Sequence, residues 1–324
     1  MKRQFRIILL WILFVACTIL PGCTYVPSPS PTLPPANTPT SVPALSLTDQ
    51  YIEAFRTYES TAGICSVYDT ESQIYLYTKQ AVSTRIYPAS TTKLFTAWVA
   101  LQHLSPEETV VVGDELNRVA PDSSIAFLQK GYTLCVASLI EGMLLPSGND
   151  AAYVVACCAG RKIARNDYLD YNAAITVFMD EVNRQAALQN LQGTHFVSPD
   201  GYHDANHYTT VEDLVKIATL ALTNPTISKY VQVAKEEVRF SDGSHVVWEN
   251  TNLLLHPESP FYLKDAVGLK TGYTKAAGYV LLSAVHNPHS ESLVIVLVAN
   301  CPTPESRFVE TISLYNVLKS VEIV

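Results

Sequence analysis

Apolar residues recur along this chain at two spacings, and the points where one gives way to the other mark out its elements. Ile52, Phe55 and Tyr58 lie at helical spacing and predict a helix over about 47–58. Positions 63–68 and 74–78 alternate as half-buried strands do, and the polar run Asp69-Thr70-Glu71-Ser72 predicts a turn between them. Leu94-Phe95-Thr96-Ala97-Trp98-Val99-Ala100-Leu101 reads as a buried helix. Another begins near Val136 and is interrupted by Leu144-Leu145-Pro146-Ser147-Gly148-Asn149-Asp150, and small residues over 151–159 restart it. Further helical patterns run over about 168–188 and 211–222. From Glu237 the period returns to two: 238–240 and 245–248 flank Ser241-Asp242-Gly243-Ser244, a hairpin signature. Segments 279–285 and 293–299 are strongly apolar strands, and Phe308, Ile312, Tyr315 and Leu318 suit an amphipathic helix over 306–321. Strands at both ends around a helical middle predict an α+β domain whose sheet joins the N- and C-terminal parts.

The first 44 residues follow neither spacing. Lys2, Arg3 and Arg6 precede an uncharged run from Ile7 to Leu20. Fourteen residues fall short of the roughly 20 that span a bilayer as a helix, so 1–22 reads as a signal peptide. The run ends Leu20-Pro21-Gly22-Cys23, which resembles a bacterial lipobox and makes Cys23 the expected lipidation site. Residues 23–44 are uncharged and rich in Pro, Ser and Thr, the composition of an extended tether that cannot bury a core. The expected organisation is therefore signal peptide 1–22, tether 23–44 and one folded domain 45–324. Its expected place is the extracytoplasmic face of a bacterial membrane, held by an N-terminal lipid.

Charge narrows the partners. The formal net charge of −8 becomes −11 when the three cations Lys2, Arg3 and Arg6 leave with the signal segment. No basic stripe offsets it, and clustered lysine and arginine are what phosphate binding needs, so nucleic acid is not expected as a partner.

Pro88-Ala89-Ser90-Thr91-Thr92-Lys93 opens the apolar helix, with Ser90 and Lys93 three residues apart and so on one helical face. A serine hydroxyl is a poor nucleophile until a base takes its proton, and a neutral lysine one turn away can be that base. Neutrality near pH 7 requires the lysine pKa to fall by about three units, through burial or a second cation. Ser90 could equally cap the helix, with Lys93 a solvated first-turn residue. Two further motifs weigh on the choice. Ser147-Gly148-Asn149 breaks a helical region, where a tight loop can point a hydroxyl and an amide into a cleft. Lys270-Thr271-Gly272 ends the apolar approach Val267-Gly268-Leu269 and reads as an edge strand whose glycine permits close backbone approach.

In the order Ser-x-x-Lys, Ser-x-Asn, Lys-Thr-Gly, these motifs form the set shared by penicillin-binding proteins and class A β-lactamases. With glycine in the middle motif the chain resembles the serine D-alanyl-D-alanine carboxypeptidases, the low-molecular-mass penicillin-binding proteins. PASTTKLFTAWVAL, LIEGMLLPSGNDAAYVVA, FVSPDGYHDANHYTTVEDLVKIA and VGLKTGYTKAAGYVLLSA carry that resemblance. It implies a DD-peptidase/β-lactamase-like fold: an antiparallel sheet flanked by helices, plus a helical subdomain. Ser90 would form an acyl-enzyme after Lys93 takes its proton. Ser147 would relay a proton to the leaving amine, and Asn149 would bind a substrate amide. Lys270 would keep the field positive and help depress Lys93, and Thr271 would bind the terminal carboxylate. The backbone N–H groups of Ser90 and Tyr273, beside Gly272, would form the oxyanion hole. The implied substrates are peptidoglycan stem peptides, with β-lactams as inhibitors and no metal or organic cofactor. Fifty-two residues follow Gly272, enough for the last strands and helix, so the β-rich second domain and tail anchor of many relatives are not expected.

Other readings compete. A β-lactamase shares the motif set, but no Glu-Pro-x-Leu-Asn-like stretch lies between the second and third motifs. A catalytically silent binding module would be free to lose the motif side chains, all of which are present. His195, His203 and His207 fit no common zinc spacing and read as a polar loop near the cleft. Cys157-Cys158 reads as helix packing. Leaving out Cys17 and Cys23, five cysteines remain, so they cannot all pair within one chain. Arg239 is a possible carboxylate binder but by default a surface strand residue.

Overall fold

A computed structural model of the chain describes residues 45–322. The signal segment, Cys23 and the tether lie outside the described residues.

Five strands form the antiparallel sheet: β1 (Ile64–Asp69), β2 (Ile74–Thr78), β3 (Ala266–Thr274), β4 (Gly278–His286) and β5 (Leu293–Cys301). Their spatial order is β2-β1-β5-β4-β3, so the N-terminal hairpin joins the C-terminal strands through the pairing of β1 with β5, and one sheet unites the two ends of the domain as the sequence pattern predicts. Register is set by burial on both faces. Along β5, Val294, Val296 and Val298 enter one apolar core while Ile295, Leu297 and Ala299 enter the other, the period-two alternation of a strand. A slip of one residue would exchange the two sets. β3, which carries Lys270-Thr271-Gly272, is an edge strand among the described residues, paired with β4 in the register Lys270 to Leu282.

Helices α1 (Leu47–Phe55) and α8 (Ser306–Lys319) cover one face through Tyr51, Phe55, Phe308, Leu314 and Tyr315. The first begins at Ser46, whose hydroxyl accepts the Asp49 N–H, a favoured N-cap. It stops earlier than expected: Tyr58 lies beyond it and packs edge-on against both Phe55 and Tyr77.

The other face and the helical subdomain contain α2 (Thr92–Ala100), α3 (Val136–Leu144), α4 (Asn149–Ala164), α5 (Tyr171–Leu188), α6 (Val211–Thr223) and α7 (Pro225–Val231). α4 starts two residues before the expected restart, so Asn149 and Asp150 are its first residues rather than loop. α4 and α5 touch closely at Gly160, where a Cβ would lie 1.8 Å from the Ala174 carbonyl oxygen. Helix α7 is absent from the sequence-based prediction, although its signals are present. Asn224 accepts the N–H groups of Thr226 and Ile227, and Pro225 occupies the first turn, where its missing donor costs nothing. The expected hairpin forms from Lys235–Arg239 and His245–Glu249. Cys65, Cys135, Cys157, Cys158 and Cys301 are all free thiols. No metal-binding cluster occurs among the described residues.

Candidate active site

Ser90 sits in a single 3-10 turn, Ala89–Thr91, that leads into α2. The N-cap position of α2 is Thr91, and no side chain caps the helix there, so the capping role considered for Ser90 does not hold. Lys93 is one turn on, and its side chain is fully buried. Its Nζ lies 2.8 Å from Ser90 Oγ, 2.7 Å from Asn149 Oδ1 and 2.8 Å from the Asp200 carbonyl oxygen.

The character of those three oxygens decides what the amine can do. Asn149 Oδ1 and the Asp200 carbonyl can only accept, whereas a serine hydroxyl both donates and accepts. A neutral amine has two N–H bonds and one lone pair. Its two donors go to the two obligate acceptors, and the lone pair is left facing the Ser90 O–H. Burial lowers the Lys93 pKa to about 8, opposed by the nearby carboxylates of Asp200 and Asp150. About a tenth of the lysine is therefore free base at pH 7.

Lys270, on β3, is also fully buried, and its pKa is pushed well down, first by burial and then by Lys93 and Arg307. Burial is the largest cause of the Lys93 depression, and the mutual repulsion of the two lysines adds to that of Lys270. Among the described residues Lys270 Nζ reaches Thr251 Oγ1 at 3.4 Å and the Thr271 carbonyl at 3.3 Å. A guanidinium stands close by. Arg307 of α8 reaches the Gly272 carbonyl at 3.3 Å and lies 5.5 Å from the Tyr279 ring centroid. Among the described residues it has no carboxylate partner. Arg239, by contrast, is exposed on the hairpin.

Thr271 pairs hydroxyl to hydroxyl with Thr251. Gly272 allows a close approach: a Cβ there would lie 3.1 Å from the Ser90 backbone nitrogen and 3.0 Å from Ala89 Cβ. Strand β3 thus runs directly against the nucleophile's turn. Tyr273 is half exposed and stacks on Tyr279 with ring centroids 4.3 Å apart.

The middle motif is held from outside. Ser147 is buried with φ 63°, and its carbonyl accepts from Ser124 Oγ at 2.8 Å. Its own hydroxyl makes no hydrogen bond among the described residues. Asn149 Nδ2 donates to Ser123 Oγ at 2.8 Å. The buried Asp150 carboxylate accepts the N–H groups of Ala126, Leu128 and Ala151, which fixes the segment carrying Ser123 and Ser124. A cavity of about 470 Å³ opens over the nucleophile, lined among others by Ser90, Ser123, Asn149, Asp200, His203 and Tyr273.

Six of the seven predicted motif residues, Ser90, Lys93, Asn149, Lys270, Thr271 and Gly272, are thereby brought together, with Tyr273 on the cavity wall; Ser147 is buried in the turn just before Asn149, and Cys23 lies outside the described residues. Sequence reasoning missed Ser123, Asp200 and Arg307. The first two lie within conspicuous polar loops but far from their partners along the chain. Of the three histidines, His195 bridges to Tyr208, His203 lines the cavity and His207 is buried beneath it.

Comparison with known proteins agrees with this geometry. The curated D-alanyl-D-alanine carboxypeptidase of Streptomyces sp. (strain K15) is 32% identical over 260 residues, covering 77% of this chain and 82% of that protein. The carboxypeptidase DacF of Bacillus subtilis (strain 168) is 25% identical over 231 residues, 70% of this chain and 54% of that protein. Among solved structures, the Streptomyces K15 DD-transpeptidase superposes with a TM-score of 0.71 at 29% identity, covering 81% of this chain and 98% of that one. Penicillin-binding protein D2 of Listeria monocytogenes, solved in a cefotaxime-bound form, gives a TM-score of 0.64 at 28% identity over 81% of this chain and 99% of its own. Residues 53–302 match the family description D-alanyl-D-alanine carboxypeptidase, Peptidase S11, and the chain belongs to that family.

Proposed function

We propose that this protein is a serine D-Ala-D-Ala carboxypeptidase that removes the last D-alanine of peptidoglycan stem pentapeptides through an acyl-enzyme on Ser90. The observation that carries the assignment of roles is the trio of oxygens around Lys93, which aims the amine lone pair at the Ser90 hydroxyl. Lys93 takes the hydroxyl proton as Ser90 Oγ bonds to the carbonyl carbon of the penultimate D-alanine. The oxyanion is held by the backbone N–H groups of Ser90 and Tyr273, the contribution usually largest in acyl transfer. The C–N bond then breaks, and the Lys93 proton passes by way of the Ser147 hydroxyl to the departing D-alanine amine. Water next attacks the ester carbon and gives its proton to Lys93, which returns one to Ser90 Oγ as the ester bond breaks. Thr271, Lys270 and the Arg307 guanidinium receive the substrate's terminal carboxylate. A penicillin enters the same sequence at the acylation step.

The Streptomyces K15 structure is described as a DD-transpeptidase, which favours a second fate for the acyl-enzyme, attack by an amine in place of water. The deciding experiment is D-alanine release from a peptide ending in D-Ala-D-Ala, by the parent and by Ser90→Ala, with and without an amine acceptor. Release by the parent alone supports the reading. Equal release by both sinks it.

We also propose that residues 1–22 direct export, that Cys23 carries the lipid, that 23–44 spaces the domain from the membrane and that 45–324 is the catalytic domain. The lipobox-like end of the apolar run and the uncharged, proline-rich segment support this. Labelled fatty acid incorporated by the parent and lost in Cys23→Ser would support it; equal labelling of both would not.

A further inference from the structure

Residues 196–201 form a strap that crosses α2 beneath the nucleophile, fastened at successive points. Thr96 Oγ1 donates to the Pro199 carbonyl at 2.7 Å, and Lys93 Nζ meets the Asp200 carbonyl at 2.8 Å. At Gly201, with φ 81°, a Cβ would lie 1.9 Å from the Ala89 carbonyl oxygen, so the strap touches the backbone of the Ser90 turn itself. The Phe196 ring stacks on Phe95 of α2.

His207 closes this arrangement from the far side. It is 2% exposed and its ring lies edge to face with Phe196 at 5.4 Å. Nδ1 receives the Val197 N–H at 3.1 Å and a longer contact from the Ser198 N–H at 3.4 Å. A backbone N–H can only donate, so Nδ1 is an acceptor and Nε2 bears the ring proton. Nε2 is 2.9 Å from Thr92 Oγ1 and therefore donates to it. The imidazole joins the strap, at Val197 and Ser198, three and two residues before Asp200, to α2 at Thr92, one residue before Lys93.

We propose that His207 is a positioning residue for the general base: it pins the 196–201 strap to α2 so that the Asp200 carbonyl takes one Lys93 N–H and the amine lone pair stays on Ser90. Without that carbonyl the amine has one obligate acceptor, Asn149 Oδ1, and can turn a second N–H toward Ser90 in place of its lone pair. The inference rests on Lys93 acting as the base. The ionisable groups around Lys93 are Asp200, Asp150 and Lys270, and those around His207 are Asp200, Asp204, His195 and His203.

The test is the rate of acylation by a penicillin against pH, followed by mass, in the full-length parent, His207→Phe and His207→Gln. Phenylalanine keeps the ring and loses both hydrogen bonds, whereas the glutamine amide can still donate to Thr92. The expected result for His207→Phe is a plateau rate lower by roughly tenfold or more, the loss typical of a misplaced charged-group hydrogen bond. The midpoint of the acidic limb should also fall by about one pH unit, because the Lys93 ammonium has lost an acceptor. His207→Gln should recover much of both. A rate loss that tracks the melting temperature with the midpoint unmoved would overturn the proposal, as would an unchanged rate. If the parent forms no adduct on Ser90, the carboxypeptidase reading itself fails and takes this inference with it. Should His207→Phe not fold, the 15N spectrum of histidine-labelled parent decides: a proton on Nε2 and an accepting Nδ1 support the pin, and the reverse tautomer excludes it.

Discussion

The side-chain amide of Asn149 is held in one orientation by Ser123, whose Oγ accepts from Nδ2 at 2.8 Å. Because Nδ2 is occupied there, it is Oδ1 that meets Lys93 at 2.7 Å. Ser123→Ala should free the amide to turn and present an N–H to Lys93. Acylation by a penicillin is expected to slow by roughly five- to tenfold, the cost of one misplaced hydrogen bond, with the melting temperature little changed. An unaltered acylation rate would show that Asn149 holds its orientation unaided.

Acylation should rise with pH through a midpoint near 8, where Lys93 loses its proton in the folded protein. The sign follows from the chemistry: the ammonium has no lone pair, so below the midpoint the rate falls about tenfold per pH unit. Lys93→Arg should abolish acylation at every accessible pH, since a guanidinium stays protonated. Stopped-flow acylation measures both. A profile flat from pH 6 to 9 would contradict the assignment.

Gly201→Ala places a methyl group 1.9 Å from the Ala89 carbonyl oxygen, at a backbone φ of 81° that side-chain-bearing residues disfavour. No flexible side chain can yield there, because the colliding atom is backbone. The expected result is a stability loss of about 3 kcal/mol or more, with acylation reduced beyond what unfolding explains. Urea denaturation beside an acylation assay separates the two.

Acid should destabilise the fold through His207, whose pKa burial pushes down from 6.5 to about 4. The unfolded chain then binds a proton that the folded one refuses between those values. Stability is therefore full above about 6.5 and is lost as pH falls toward 4, by about 3 kcal/mol in all. Denaturation midpoints of the parent and His207→Gln from pH 7 to 4 measure it. The parent should lose more, and parallel curves would assign the loss to other groups.

Much of this was legible in the chain. Near-continuous apolar runs at 293–299 and 279–285 identified the sheet's central strands, because residues buried on both faces must be apolar throughout. The three motifs announced their chemistry through residue type and spacing, and Ser90 and Lys93 could be paired from sequence because both belong to one helical turn. Helix α7 was legible in Asn224-Pro225 and was overlooked. The two-residue error at the start of α4 arose because Ser-Gly-Asn reads as a loop, while the Asp150 carboxylate, taking N–H groups from residues 126 and 128 as well as 151, lets the helix begin at Asn149.

The sequence alone thus determined which atoms can react, a hydroxyl and an amine one turn apart, and the order of strands and helices that would carry them. Tertiary structure decided in which direction the amine faces. That depends on Asn149 and Asp200, which lie 56 and 107 residues from Lys93, and on the Ser123 and His207 contacts that hold them. Local periodicity reports on neighbours within a turn or a strand. The placing of an acceptor-only oxygen against a buried amine is settled by packing between distant segments, where burial forbids water and each donor must find its partner within the protein.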